Sequence, residues 1–178
     1  MLVFILLGSI LPFESTILIS MTLPILVSLF IIPLIYILVL SRSNRNLLDL
    51  KCRKREIAYT AVGILLFSLI YFVTNKDKFG SQITLFLMIH YMIAAFCEEF
   101  LYRNIILKRL LESWGIISSI IISSVIFSVI GHIGESPVDN LIYRFPLGVF
   151  FCIFRLKSKS LLYTSAIHAF YNLILIAA

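Results

Sequence analysis

Residues 16–40, "TILISMTLPILVSLFIIPLIYILVL", carry no charged side chain. A helix needs about 20 such residues to cross the hydrocarbon core of a bilayer, so this stretch alone removes the chain from the water-soluble class. Pro24 and Pro33 fall inside it and mark expected kinks, because each lacks a backbone donor. The composition agrees: of 178 residues, 61% are hydrophobic and only 13% charged, with a mean hydropathy of +1.06. Those proportions are typical of a polytopic membrane protein. Outward from this segment, apolar runs recur at 57–74, 83 to about 103, roughly 115–131, 141–154 and 160–178. The expected fold is therefore an all-α polytopic membrane protein, a bundle of about six transmembrane helices plus a short N-terminal apolar helix. That first piece, "MLVFILLGSILPF", is too short for a normal crossing and runs into Glu14. It has no basic start and no clear small-residue cleavage site, so a cleaved signal peptide is not expected. No repeat is visible, and no polar linker is long enough to fold separately. Residues 1–178 read as a single membrane domain.

The net charge of +6 comes in short bursts between the apolar runs: "SRSNRNLLDLKCRKRE" (41–56), Lys108 and Arg109, then Arg155, Lys157 and Lys159. Alternating crossings put all three bursts on one side, which the distribution of basic residues identifies as cytoplasmic. Lys76 and Lys78 are left on the other. The expected partners of these charges are lipid headgroups, and nucleic acid is not an expected partner. Three cysteines, Cys52, Cys97 and Cys152, are an odd number scattered over unrelated segments, which suggests neither a disulfide framework nor a thiolate metal site.

Against this background "AAFCEEFLYRN" (94–104) is anomalous, because it places two adjacent carboxylates in an apolar run. A charge at that depth costs at least about 2.5 kcal/mol. Neighbouring helical residues diverge by about 100°, so Glu98 and Glu99 must meet different surroundings. Glu99 has Arg103 one turn on, an ion pair on one face. Glu98 has Ala94 and Tyr102 as its helical neighbours and no cation within its own helix, so its burial demands a functional reason. A carboxylate that exchanges protons inside a membrane is a candidate general base. Partners are few. His132 in "FSVIGHIG" and His168 in "IHAFYN" belong to later apolar segments, and Asn172 follows His168 by one turn. A bilayer tolerates such groups when they satisfy one another or line a wet cavity. His90, alone in "LMIHYM", reads as a satisfied polar group, and Cys97 as a small packing residue without an adjacent base.

Taken in order, "EEFLYR" (98–103), "GHI" behind its apolar helix, and "HAFYN" (168–172) resemble the motifs EExxxR, FxxxH and HxxxN of the CPBP intramembrane proteases. That family includes CAAX prenyl endopeptidases and bacteriocin-processing or self-immunity proteins. The resemblance covers about residues 83–178. In the middle motif Phe127 precedes His132 by five positions instead of four, with Ser128 in the expected slot. The resemblance implies an endopeptidase in which Glu98 and His132 activate a water, His168 and Asn172 stabilise the oxyanion, and Glu99 with Arg103 support them. It implies no cofactor in its metal-free form, the form preferred because Asn172 and Glu99 then have clear uses. The alternative is an open zinc site formed by Glu98, His132 and His168. The substrate would be a membrane-associated protein or peptide, cut near the cytoplasmic face of what the Ile, Lys, Phe and Tyr-rich composition weakly suggests is a bacterial membrane. A non-catalytic immunity or scaffold protein is the other function class; a transporter would call for paired inverted halves, and none is visible.

Helix arithmetic sets this constellation a condition. At about 1.5 Å per residue, Glu98 sits about 8 Å and His168 about 12 Å from their inner helix ends, but His132 about 25 Å along a helix starting at 115. The three meet only if that helix starts in the cytosol, is strongly tilted, or bends back at Gly131 and Gly134.

Overall fold

The structure, a computed structural model, describes residues 13–40, 53–134 and 136–178. The expected N-terminal helix before Phe13, and most of the basic 41–56 stretch including Cys52, lie outside the described residues. Among those described there is no strand, and six helical segments follow one another: α1 (residues 13–40), α2 (Lys54–Phe79), α3 (Ser81–Leu111), α4 (Ile116–Ile130), α5 (Pro137–Ser158) and α6 (Leu161–Ala177).

Four of them contain stretches long and apolar enough to cross a membrane: Ile19–Val39, Lys54–Phe79, Ser81–Leu111 and Pro137–Ser158. The other two, α4 and α6, stand where crossings were expected but are shorter, at about 22 and 25 Å against a hydrocarbon core of about 30 Å. The start of α6 is sunk in protein, with Ser160 and Leu161 both buried.

Turn chemistry sets the connections. Gly80 alone separates α2 from α3, at a φ of 85° that residues with a Cβ seldom adopt. Pro137 opens α5, where its missing donor costs nothing. Ser160 caps α6 by accepting from the Tyr163 amide at 3.4 Å.

α3 is the central helix. It packs against α1, α2 and α6, while α4 packs against α5, and α6 also touches α2 and α5. Its most apolar window is 44% buried, against 11% for α1 and α2. Leu65, Leu69, Ile117 and Leu141 face outward, as lipid requires, and the polar side chains turn in: Thr84, Asn104, Ser119, Ser123, Ser124 and Thr164 are fully buried. Small residues let these helices approach without an aqueous hydrophobic drive. Ser123 donates across to the Tyr102 carbonyl at 3.1 Å. Two longer side chains tie helices as well, Lys78 Nζ to the Ala177 carbonyl at 2.6 Å at one end of the bundle and Arg155 to the buried Asn104 at 3.3 Å within it.

One expectation is corrected. The third span does not leave the bundle near Arg103: α3 continues to Leu111, with Leu107 fully buried. Lys108 and Arg109 suggested a loop, yet Arg109 stands on the helix exterior in an exposed ion pair with Glu112 at 2.6 Å.

Candidate active site

The two glutamates leave α3 in different directions. Glu99 is completely buried: its Oε1 accepts from His168 Nδ1 at 2.9 Å and its Oε2 lies 3.4 Å from Arg103 Nε. Arg103, also fully buried, extends Nη2 to the Gly148 carbonyl at 3.4 Å and holds its guanidinium 4.2 Å from the centre of the Phe127 ring. A ring face attracts such a cation, more so where water is excluded. Gly148 permits this approach, since a Cβ there would come within 3.1 Å of Phe127 and 3.2 Å of Ser124.

Glu98 keeps 18% of its side chain exposed and places Oε2 3.7 Å from His168 Nε2. The imidazole thus stands between two carboxylates. Because a carboxylate only accepts, the 2.9 Å contact assigns a proton to Nδ1 and turns Nε2 toward Glu98. Phe151 stacks on the ring at 4.4 Å and Phe127 meets it edge-on at 6.0 Å, fixing its plane. Glu98, His132, His168 and Asn172 line one cavity of about 210 Å³.

His132 reaches that cavity from the turn beyond α4. Residues Ile126–Ile130 form a wide turn with i→i+5 hydrogen bonding, in which residues five apart share a face. The five-residue spacing of Phe127 and His132 is thereby accommodated: the rings meet edge-on at 5.1 Å, and His132 Nδ1 donates to the Phe127 carbonyl at 3.1 Å. The bond leaves Nε2 as an acceptor. Asn140 secures the turn by donating to the His132 carbonyl at 3.0 Å. A Cβ at Gly131 would stand 2.5 Å from the Phe127 oxygen and 2.8 Å from the Tyr102 hydroxyl, so the chain passes there only as glycine. Further wide turns at Phe100–Ile106 and Asn140–Arg144 flank the same region.

The conflict of depths is resolved mainly by the length of α3. Glu98 lies about 20 Å from Leu111 rather than 8 Å from an end at Arg103, which matches His132 at about 24 Å from Ile116. His168 agrees because α6 starts inside the bundle, at a turn tied to α3 through the Arg155–Asn104 bond.

Side chains that the sequence reading passed over complete the cavity wall. Arg144 of α5 and Tyr91 of α3 line it, as does Ile25 of α1. His90 lines it too, and it is paired as expected of a satisfied polar group, its Nδ1 2.9 Å from the Thr22 hydroxyl. Cys97 and Cys152 are buried. Arg144 had a signal, a cation inside the apolar run 141–154. Among the described residues, no three His, Cys, Asp or Glu side chains come together at metal-ligating spacing.

The protein is thus a polytopic helical bundle in which Glu98, His132, His168 and Asn172, from α3, the turn after α4, and α6, line one cavity. Residues 80–174 match the family described as Type II CAAX prenyl endopeptidase Rce1-like, and the chain belongs to that family. It is a membrane protease of the CAAX endopeptidase type. No curated protein and no solved structure matches it. The matched region runs from the start of α3 into α6; α1 and all of α2 precede it.

Proposed function

We propose that the protein hydrolyses a peptide bond of a membrane-tethered protein or peptide, with Glu98 and His132 activating the attacking water and His168 and Asn172 stabilising the oxyanion. What carries the reading is the single cavity onto which those four side chains open, with Glu98 3.7 Å from His168. Glu98 removes a proton from water held against His132 Nε2. The hydroxide attacks the scissile carbonyl, His168, carrying a second proton on Nε2, donates a hydrogen bond, together with the Asn172 amide, to the oxygen that becomes negative, and the proton taken by Glu98 passes to the leaving amine. Donors fixed before the reaction begins contribute about 3–4 kcal/mol each to such a transition state. Glu99 and Arg103 act through His168: the carboxylate fixes the imidazole, and the arginine balances the carboxylate.

In this reading the reaction runs without a metal, because Glu99 and Asn172 have uses that require none; zinc held by Glu98, His132 and His168 is the competing assignment. The partners are membrane lipids and a peptide or protein substrate, for which the family's description offers prenylated CAAX sequences. The basic end of the bundle, with Arg109, Arg155, Lys157 and Lys159, is read as the cytoplasmic side.

His168→Ala and Asn172→Ala are each expected to lower cleavage of a prenylated reporter by about 10²- to 10³-fold, measured in cells and on purified protein. Wild-type turnover is expected to persist in excess chelator. Loss of turnover with recovery on adding zinc would replace the metal-free mechanism, and unchanged cleavage in both variants would leave a binding protein instead.

A further inference from the structure

An imidazole has two ring nitrogens, and only one of those on His90 has a partner among the described residues. Nδ1 faces the Thr22 hydroxyl of α1 at 2.9 Å, while Nε2 meets no hydrogen-bonding group there. Phe86 stacks on the ring at 5.7 Å and Tyr91 meets it edge-on at 5.0 Å, so its plane is fixed. His90 is only 5% exposed, yet it lines the cavity that holds Glu98, His168 and Asn172. It stands about 14 Å along α3 from Ser81, inside the span, where a polar atom left without a partner is costly.

The cavity follows the seam between α3 and α6. Lys78, beside the start of α3, bonds to Ala177 at the end of α6, and Glu99 bonds to His168 farther along, so the two helices run antiparallel. On α3, His90, Ala94 and Glu98 are each one turn apart and share a face; on α6 the wall continues from His168 to Asn172. Glu98 and His90 are thus about 12 Å apart along the helix, with only the methyl group of Ala94 between them. Three to four residues of extended chain, at about 3.5 Å each, span that distance. A peptide lying in this trough has to satisfy its amide and carbonyl groups within it, because lipid offers them nothing. The reacting bond finds its partners at the Glu98 end. At the other end stands His90 Nε2. A hydroxyl both donates and accepts, so Nε2 is a donor in one tautomer and an acceptor in the other, and a peptide main chain has a partner for each.

Resting on the hydrolytic reading of the site, we propose that His90 is a substrate-binding residue whose Nε2 hydrogen-bonds the substrate main chain about three residues from the scissile bond. Thr22 is its positioning residue, so α1, which precedes the region matched to the family, takes part in the site. A main-chain contact fixes how far the substrate slides along the trough without reading its side chains.

The probes are quenched fluorescent peptides with a prenylated cysteine, identical except that one backbone amide at a time, other than the scissile one, is an ester. An ester lacks the N–H and has a weaker carbonyl acceptor, so it weakens the contact in either tautomer. Wild-type protein is expected to lose about 5- to 50-fold in kcat/KM at one position, about three residues from the cut, mostly through KM. His90→Phe keeps a ring beside Phe86 and removes both nitrogens; it is expected to lower the all-amide peptide by a similar factor, with the ester at that position costing nothing further. Esters elsewhere are expected to cost the same in both proteins. His90→Gln, which can place an amide near Nε2, is expected to recover part of the loss. Thr22→Val, which leaves the ring in place but frees it to turn, is expected to give a smaller version of the same pattern. Equal losses on every peptide in His90→Phe with KM unchanged, or no ester position whose cost depends on His90, would overturn the proposal. Affinities of the same peptides for Glu98→Gln protein, measured by fluorescence anisotropy, separate the two claims. A His90-dependent ester effect on binding in a chain that cuts nothing even as wild type would keep the contact and remove the hydrolysis; intact cleavage without that effect would do the reverse.

Discussion

Glu98→Gln is expected to abolish most of the peptidase activity, lowering kcat by about 10²- to 10⁴-fold, the range supplied by a positioned general base. The substitution keeps the shape of the side chain and its place 3.7 Å from His168, and removes the proton acceptor. Because Glu98 is partly exposed to the cavity, the amide replaces the carboxylate without leaving a buried charge unbalanced. Thermal unfolding should therefore stay near that of the wild type while turnover falls. A variant that kept more than about a tenth of wild-type kcat would show that another group takes the proton. This is a catalytic loss without a folding loss.

Arg103→Met should give the opposite separation. It strands the Glu99 carboxylate, which has no exposed surface, and removes the cation lodged against Phe127. Breaking a buried pair from one side costs about 3–5 kcal/mol, a fall in midpoint of roughly 10 °C for a chain of this size. The double variant Glu99→Gln with Arg103→Met removes both charges and is expected to recover part of that stability. Its activity is not expected to recover, because the His168 Nδ1 proton then faces a neutral amide instead of a carboxylate. Thermal unfolding in detergent and cleavage rates on the same preparations provide both readouts. A double variant no more stable than Arg103→Met would show that the cost lies in lost packing against Phe127 and not in the stranded charge.

Much of this site follows from the sequence because its local geometry is helical. The 100° between Glu98 and Glu99 separates one acid facing the cavity from one in the interior, and the four-residue spacing gives both the Glu99–Arg103 pair and the shared face of His168 and Asn172. What escaped depends on contacts between helices or on departures from helical phase. Lys108 and Arg109 read as a loop, but a helix end can carry basic side chains outward while Leu107 packs inward, so α3 runs further than its hydropathy suggests. The wide turn at Ile126–Ile130 has no sequence signature apart from the extra residue between Phe127 and His132, and it brings together rings that a regular helix would turn apart. That Glu99 serves His168 as well as Arg103 is a contact between α3 and α6 that no spacing within either helix encodes. Arg144 was legible as a cation in an apolar run; its place on the cavity wall was not.

The most direct test of direct water attack promoted by Glu98 is a single-turnover cleavage in heavy-oxygen water with enzyme in excess over a prenylated peptide, followed by mass spectrometry of the product and of the enzyme fragment spanning Cys97 to Arg103. One heavy oxygen is expected in the new peptide carboxylate, with no label in Glu98 and no adduct on Cys97. Label in the Glu98 side chain, or an acyl group trapped on either residue, would mean that the protein attacks its substrate covalently and would contradict the account.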